Sequence, residues 1–143
     1  MFGFGKTAAA FASCGALLGA AVVLQAASQQ QVERGRYLVN QASMCIDCHT
    51  PMDAKGMPDR SRNMQGATLP FKPTIKVPDW ADTAPALAGL AGYTDAQIVR
   101  ALQTGVGPTG TALRPPMPQF RLSKEDAEAI VAYLKTLKPA AKR

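Results

Sequence analysis

Two of the three cysteines and the only histidine of this chain lie within five consecutive residues, as Cys45, Cys48 and His49 in the stretch CIDCH. Two thiols and an imidazole at this spacing could form a redox-active dithiol, contribute to a zinc site, or attach a haem group. These three sites place different requirements on the rest of the chain. The sequence after the motif therefore discriminates between them.

The residues that follow the motif disfavour zinc and dithiol chemistry. A structural zinc ion takes four protein ligands, and no Cys or His follows His49. A thioredoxin-like dithiol lies among strands that alternate with helices, and the downstream sequence has no strand-rich segments. The remaining interpretation is covalent haem attachment, in which two thiols bond to the vinyl groups while the adjacent imidazole reaches the iron. The motif thus predicts Cys45 and Cys48 as haem anchors and His49 as an iron ligand.

The sequence also limits the second axial ligand of such an iron. Because His49 is the only histidine, a second imidazole from this chain is excluded, which leaves Met, Lys or an open position. Met44 and Met52 are tethered beside the motif, on the side of the ring that His49 occupies. Met57 and Met64 lie farther away in a loop-rich region and remain candidates.

Met117 has the most favourable local sequence of the methionines. It stands in LRPPMPQF between Pro116 and Pro118, whose fixed φ angles hold the chain extended and reduce the ordering that ligand binding requires. A methionine is more often a core filler than a ligand. Here the rigid loop precedes the last predicted helix and could cross the open haem face, which favours Met117 as the second ligand.

The segments around the motif can be assigned in outline. Residues 29–41 predict an amphipathic helix that leads into the motif, with Val32, Leu38 and Val39 on its apolar side. Residues 51–93 are rich in proline and have little sustained periodicity, which predicts a long irregular region. A haem would supply the apolar surface on which such loops pack.

Two further helices carry clear boundary signals. One begins after Thr94, with Gln97 three residues on in a capping-box pattern, and ends at Gly105. The other begins after Ser123, ends before Pro139 and is expected to pack on the first helix. Its apolar stripe consists of Ala127, Ile130, Val131, Leu134 and Leu137.

The overall composition describes one compact globular domain. The chain has 143 residues, of which 47% are hydrophobic and 18% charged. Its formal net charge of +6 favours acidic partners or anionic surfaces. The basic residues form no runs interleaved with aromatics and no recognition-helix pattern, so a nucleic-acid partner is not expected.

The N-terminal segment has the pattern of an export signal. Lys6 precedes 18 uncharged residues, Thr7–Leu24, and small residues at Ala26 and Ser28 favour cleavage by a signal peptidase. We therefore predict a signal peptide over residues 1–28, a domain over 29–143, and a periplasmic location. An uncleaved anchor that attaches the protein to the membrane is the alternative, and lipid modification at Cys14 is less favoured because the apolar run continues beyond it.

Together these segments resemble the class I c-type cytochromes, in particular small bacterial cytochromes and cytochrome modules associated with periplasmic dehydrogenases. The resemblance covers residues 32–137 and rests on ERGRYLV, CIDCHTP, YTDAQIVRALQTG, RPPMPQF and DAEAIVAYLKTL in that order. It implies an all-α fold of three to five helices wrapped around one covalently attached haem c, with long irregular loops. It also implies a close contact between Gly35 and the last helix near Tyr133.

The same resemblance implies a set of site residues. The thioether anchors are Cys45 and Cys48, the proximal iron ligand is His49, and the distal ligand is Met117. The segment Asp53–Pro85 departs from the simplest class I pattern, so the proline that supports the proximal histidine in the family is left unassigned.

Three more residues have open roles near the implied haem. Pro51 either takes the place of the family's supporting proline or only shapes the loop. Trp80, the only tryptophan, and Arg114 are candidates to donate a hydrogen bond to a haem propionate, as a Trp or Arg does in similar proteins. The alternative for Trp80 is packing within the loop core.

The function that the resemblance implies is electron transfer without catalysis. One haem with His/Met ligation would carry single electrons from a periplasmic dehydrogenase to a cytochrome oxidase or another cytochrome, in a respiratory or dehydrogenase-linked chain. The alternatives are a haem enzyme or gas sensor with an open sixth position, and a thiol oxidoreductase that never receives haem.

Overall fold

The computed structural model describes residue 25 and residues 28–140. The chain divides into two units, Met1–Gln30 and Gln31–Arg143, and the fold below is that of the second. Apart from residues 25 and 28, the predicted export signal, with Cys14, lies outside the described residues. Within the described part of the chain, no helix combines the length and the apolar character needed to cross a membrane.

Residues 31–140 of the second unit contain four α-helical segments. In this unit helix α1 covers residues 31–37 and continues as a π-helical turn, Leu38–Ala42. Helix α2 is the short segment Cys45–His49. Helices α3, Asp95–Thr104, and α4, Lys124–Thr136, follow the long irregular region. The predicted all-α fold of three to five helices is confirmed.

Helices α3 and α4 begin and end where the sequence predicted. The Thr94 hydroxyl accepts the Gln97 N–H while the Gln97 side chain accepts the Thr94 N–H, so the predicted capping box is formed. Gly105 ends α3 in a left-handed conformation, with φ of 73°. Ser123 caps α4 by accepting the Asp126 N–H.

The crossing of α1 and α4 depends on a glycine. A Cβ added at Gly35 would collide with the Ala129 carbonyl and would lie 2.8 Å from Cβ of Tyr133, so only glycine allows the two backbones to approach this closely. Arg34 extends the same contact with two hydrogen bonds to the Asp126 carboxylate, of 2.9 and 3.1 Å. The predicted packing of the last helix on the first, at Gly35 and Tyr133, is therefore confirmed.

Side chains from three helices meet in one hydrophobic core. The predicted apolar positions of α1 are buried at Leu38 and Val39, and the α4 stripe is buried from Ala127 to Leu134. Met64 and Leu90, from the irregular region, complete this core. Burial of this apolar surface is the main contribution that holds α1, α3 and α4 together.

The segment between α2 and α3 has little regular structure, as predicted. It contains two single-turn 3₁₀ helices, Arg60–Arg62 and Ala88–Leu90. Strands β1, Ala67–Thr68, and β2, Thr83–Ala84, pair antiparallel with Ala67 opposite Ala84. This ladder folds residues 67–84 back on themselves, and next to it the Gly66 N–H donates to the His49 carbonyl at the end of α2, at 2.8 Å.

Candidate haem-binding site

Helix α2 places the three residues of the motif along one cavity. Met44, the residue before the helix, has a left-handed backbone with φ of 47°, which turns the chain sharply out of the π-helical segment. Because residues three and four apart lie on the same side of a helix, Cys45, Cys48 and His49 share one face. All three side chains line the same cavity.

His49 is held by a hydrogen bond to a distant residue. The residue is only 5% exposed, and its Nδ1 lies 2.8 Å from the carbonyl oxygen of Pro85. Burial lowers the pKa of His49, so the imidazole is neutral at neutral pH. With Nδ1–H donating to the Pro85 carbonyl, Nε2 keeps its lone pair for a metal ion.

The two cysteines do not form a disulfide with each other, and their surroundings favour the thiol over the thiolate. Burial raises the pKa of Cys45 to about 11, and burial also raises the pKa of Cys48. A redox-active dithiol requires the opposite shift, because the thiolate is the reacting form. Within residues 28–140, no three Cys, His, Asp or Glu side chains are grouped to hold a metal ion, so zinc is disfavoured as well.

The cavity next to α2 has the size and lining of a cofactor site. Its volume is about 520 Å³, within the range of small-molecule sites, and its walls are mainly apolar. Helix α3 contributes Ile98, Ala101 and Leu102 to one wall. The loop between α3 and α4 contributes another wall, which includes Met117.

The family model for cytochrome c matches residues 32–138. The chain belongs to the cytochrome c family. Members of this family are electron-transfer haem proteins in which haem c is covalently bound, so the predicted resemblance to class I c-type cytochromes is confirmed.

Two curated relatives extend this result. The chain is 32% identical over 110 residues to a diheme cytochrome c-type protein of Cereibacter sphaeroides, which covers 72% of this chain and 34% of that protein. It is 31% identical over 111 residues to the fructose dehydrogenase cytochrome subunit of Gluconobacter japonicus, which covers 73% of this chain and 21% of that subunit. This chain therefore spans about a third and about a fifth of the length of these relatives.

The structure assigns different roles to Pro51 and Pro85. The Pro51 carbonyl accepts the N–H of Asp59 at 2.8 Å, so this residue shapes the loop that follows α2. The partner of the His49 ring is Pro85, which the sequence analysis did not single out. Pro85 lies 36 residues from His49, in the segment that departs from the class I pattern, and no local signal identifies it.

The methionines occupy clearly different positions. Met117 is half-buried and lines the haem cavity. Met64 is fully buried in the hydrophobic core, where its N–H donates to the Thr50 hydroxyl at 2.9 Å. Met57 is 63% exposed, and neither Met57 nor Met64 lines the cavity. Met44 does line it, but it precedes Cys45 directly and is tethered beside α2.

Trp80 provides an independent test of whether these residues fit a haem. Its indole Nε1 is buried and has no hydrogen-bond partner among the described residues. The ring packs edge-on against Phe71, with 5.9 Å between ring centroids, and Phe71 lines the cavity. A buried donor without an acceptor is uncommon, and a haem propionate would supply the missing acceptor. Trp80 is not itself among the residues that line the cavity, so the unpaired indole lies one ring behind its wall, and it is the cavity lining with Cys45, Cys48 and His49 that fits the group that the family carries.

Arg114 is engaged differently from the expectation of a propionate donor. Its Nε donates to the Asp79 carbonyl and its Nη2 to the Trp80 carbonyl, both at 2.9 Å. Both bonds come from one edge of the guanidinium, where the N–H groups of Nε and Nη2 form a fork. The single donor of Trp80 is unused, whereas Arg114, which lines the cavity, keeps Nη1 and one N–H of Nη2 after these two bonds.

Proposed function

We propose that this chain is a monohaem cytochrome c that carries single electrons. Cys45 and Cys48 would anchor the haem through thioether bonds, and His49 and Met117 would bind its iron. The observation that carries the proposal is the cavity of about 520 Å³ that collects these four side chains on apolar walls. One C-x-x-C-H motif occurs in the sequence, which supports a single haem.

The chain's own residues have separate tasks in this function. When bound, the haem supplies a one-electron couple at its iron. His49 presents a neutral nitrogen whose orientation is fixed by Pro85, and Met117 presents a soft sulfur donor, which favours the ferrous state. The apolar walls exclude water from the cofactor, and this also raises the reduction potential because the more highly charged ferric state is poorly solvated there.

The surroundings proposed for this carrier are the periplasm and a dehydrogenase-linked or respiratory chain. The uncharged run Thr7–Leu24 supports export. Similarity to a dehydrogenase cytochrome subunit supports a dehydrogenase as the electron donor. The acceptor would be a cytochrome oxidase or another cytochrome. The position of Met117 in the cavity favours this carrier over a haem enzyme or gas sensor with an open sixth site.

Haem analysis of the purified protein tests the proposal. The full chain would be expressed together with a cytochrome c maturation system, denatured, and examined by the absorption of its reduced pyridine complex and by iron content. We expect haem that stays on the denatured polypeptide, with one iron per chain. A matched variant, Cys45→Ala with Cys48→Ala, should release its haem on denaturation. Loss of haem from the denatured native chain, or two irons per chain, would refute the monohaem assignment.

A further inference from the structure

Residues 53–85 are the segment that departs from the class I pattern. Within this segment, Gly66 and Pro85 are both hydrogen-bonded to His49, the proposed proximal ligand. The Gly66 N–H donates to the His49 carbonyl at 2.8 Å, and the His49 ring pairs with the Pro85 carbonyl at the same distance. Strands β1 and β2 join the two halves of the segment, and the Leu69 N–H donates to the Asp82 carbonyl at 2.9 Å. Residues 66–85 thus form a strap whose base is bonded to the proximal ligand.

The other end of this strap is bonded to the Met117 loop, residues 114–118. The Ala81 N–H donates to the Pro115 carbonyl at 2.7 Å. Arg114 donates to the carbonyls of Asp79 and Trp80, each at 2.9 Å. Arg114 therefore supplies two of the three hydrogen bonds that join residues 79–81 to the Met117 loop.

The composition of the loop explains why a side chain must supply these bonds. Pro115, Pro116 and Pro118 have no backbone N–H, so they cannot donate to a neighbouring segment. The Met117 N–H is already used inside the loop, where it donates to the Arg114 carbonyl at 3.0 Å. The backbone of residues 115–118 can therefore only accept hydrogen bonds from residues 79–81, and the neighbouring Arg114 side chain supplies the donors.

We propose that Arg114 is a positioning residue for Met117, which it fixes over the haem by fastening its loop to residues 79–81 of the strap. This inference rests on the proposed function in one respect, that Met117 binds the iron. Two parallel N–H···O bonds from a planar, permanently charged fork define an orientation as well as a distance. Because the base of the strap is bonded to His49, the same segment would set the positions of both proposed iron ligands.

Three variants of the haem-loaded full chain test the proposal. Arg114→Ala removes the fork, and Arg114→Lys keeps the charge but loses the fork. Arg121→Ala is the matched control, because Arg121 is another exposed arginine near this loop and its own bond, of 2.7 Å, goes to the adjacent Phe120 carbonyl. The readouts are the rate of carbon monoxide binding to the ferrous protein and the thermal loss of the ferric far-red sulfur-to-iron band, measured beside far-ultraviolet circular dichroism.

We expect Arg114→Ala to bind carbon monoxide about tenfold faster than the native protein, since losing two charge-assisted bonds raises the population in which the sulfur has left the iron. The far-red band should disappear at a lower temperature, while the helical signal melts as in the native protein. Arg114→Lys should resemble Arg114→Ala, because an ammonium group does not reproduce the fork. Arg121→Ala should match the native protein in both readouts.

Two results would overturn the positioning role and leave the proposed function standing. One is a native carbon monoxide rate and band stability in Arg114→Ala. The other is full recovery in Arg114→Lys, which would make charge, and not the fork, the active feature. A native protein without the far-red band would instead remove Met117 as a ligand, and the proposal for Arg114 would fall with it.

Discussion

At the level of single residues, the two proposed iron ligands are held in different ways. His49 is buried and its ring is oriented by one carbonyl, that of Pro85. Met117 is only half-buried, and its loop depends on prolines and on Arg114. We therefore expect the bond from the Met117 sulfur to be the weaker of the two bonds to iron. The position that Met117 fills should be the one that opens when the site is perturbed.

Replacing Met117 should open the iron without releasing the haem. Met117→Ala keeps both thioether anchors, so haem stays attached, but the loss of a soft ligand should lower the reduction potential and admit carbon monoxide or water. The far-red band of the ferric protein should vanish. Potentiometry and absorption spectra of the purified variant provide the measurement.

The other methionines serve as controls for this variant. Met57→Ala should leave both the band and the stability unchanged, because Met57 is exposed. Met64→Ala should keep the band at temperatures where the variant is folded. Its free energy of unfolding should be lower by about 2–5 kcal/mol, as expected for a buried side chain truncated in a core. A band that survives in Met117→Ala and is lost in either control would reassign the ligand.

Trp80 should act on the haem through its indole N–H. Trp80→Phe keeps an aromatic ring against Phe71 but removes the donor. An unbonded propionate keeps more of its negative charge, which favours ferric iron, so the potential should fall by up to roughly 40 mV, the equivalent of one hydrogen bond of about 1 kcal/mol. Redox titration of Trp80→Phe beside Phe71→Leu, which leaves the indole in place, separates the donor from the packing. Equal potentials in Trp80→Phe and the native protein would place Trp80 in a packing role alone.

At the level of elements, the crossing of α1 and α4 positions the helices that surround the site. The backbones approach each other at Gly35, and Arg34 bonds α1 to the first turn of α4. The Arg34 guanidinium lowers the pKa of Asp126, mainly through their hydrogen bond, so this link is formed at neutral pH. The crossing is thus the point where a small change in side-chain volume should have the largest effect on the fold.

A methyl group at this crossing should destabilise the whole domain. Gly35→Ala gains helix propensity but forces α1 away from the Ala129 carbonyl and from Tyr133, so we expect a net loss of about 1–3 kcal/mol. Denaturant unfolding followed by circular dichroism measures it, with Gln31→Ala as the control at an exposed position of the same helix. A Gly35→Ala variant as stable as the native protein would mean that the helices cross at a larger distance.

At the level of the whole molecule, the net charge of +6 should govern encounters with charged redox reagents. Oxidation of the ferrous protein by ferricyanide, an anion, should slow as salt is added, because the Debye length falls from about 30 Å at 0.01 M to about 10 Å at 0.1 M. Oxidation by a neutral quinone is the control and should change little. A ferricyanide rate that does not depend on salt would remove charge steering from the proposed docking of acidic partners.

The predicted export of the molecule is tested by its mass. If the segment up to residue 28 is a cleaved signal, the native protein should begin near Ser28 or Gln29, and intact-mass spectrometry of protein from the periplasm should give the mass of that chain plus one haem. A mass that includes the leader would indicate a membrane anchor instead. An added diacylglycerol on Cys14 would indicate a lipoprotein.

The sequence by itself determined the features that depend on neighbouring residues. The C-x-x-C-H spacing identified both thiols and the imidazole, because one short helix carries all three. Thr94 with Gln97, and Ser123, predicted the starts of α3 and α4, because a helix cap is formed within four residues.

Only the tertiary structure decided the features that depend on residues far apart in the chain. It put Pro85 beside His49, buried Met64 in the core while Met117 lined the cavity, and joined Arg114 to residues 79–81. The reason is physical. Each of these residue types has the same local preferences in one loop as in another. The roles of these residues come from hydrogen bonds and packing between positions that are 30 or more residues apart in the chain, which no local periodicity records.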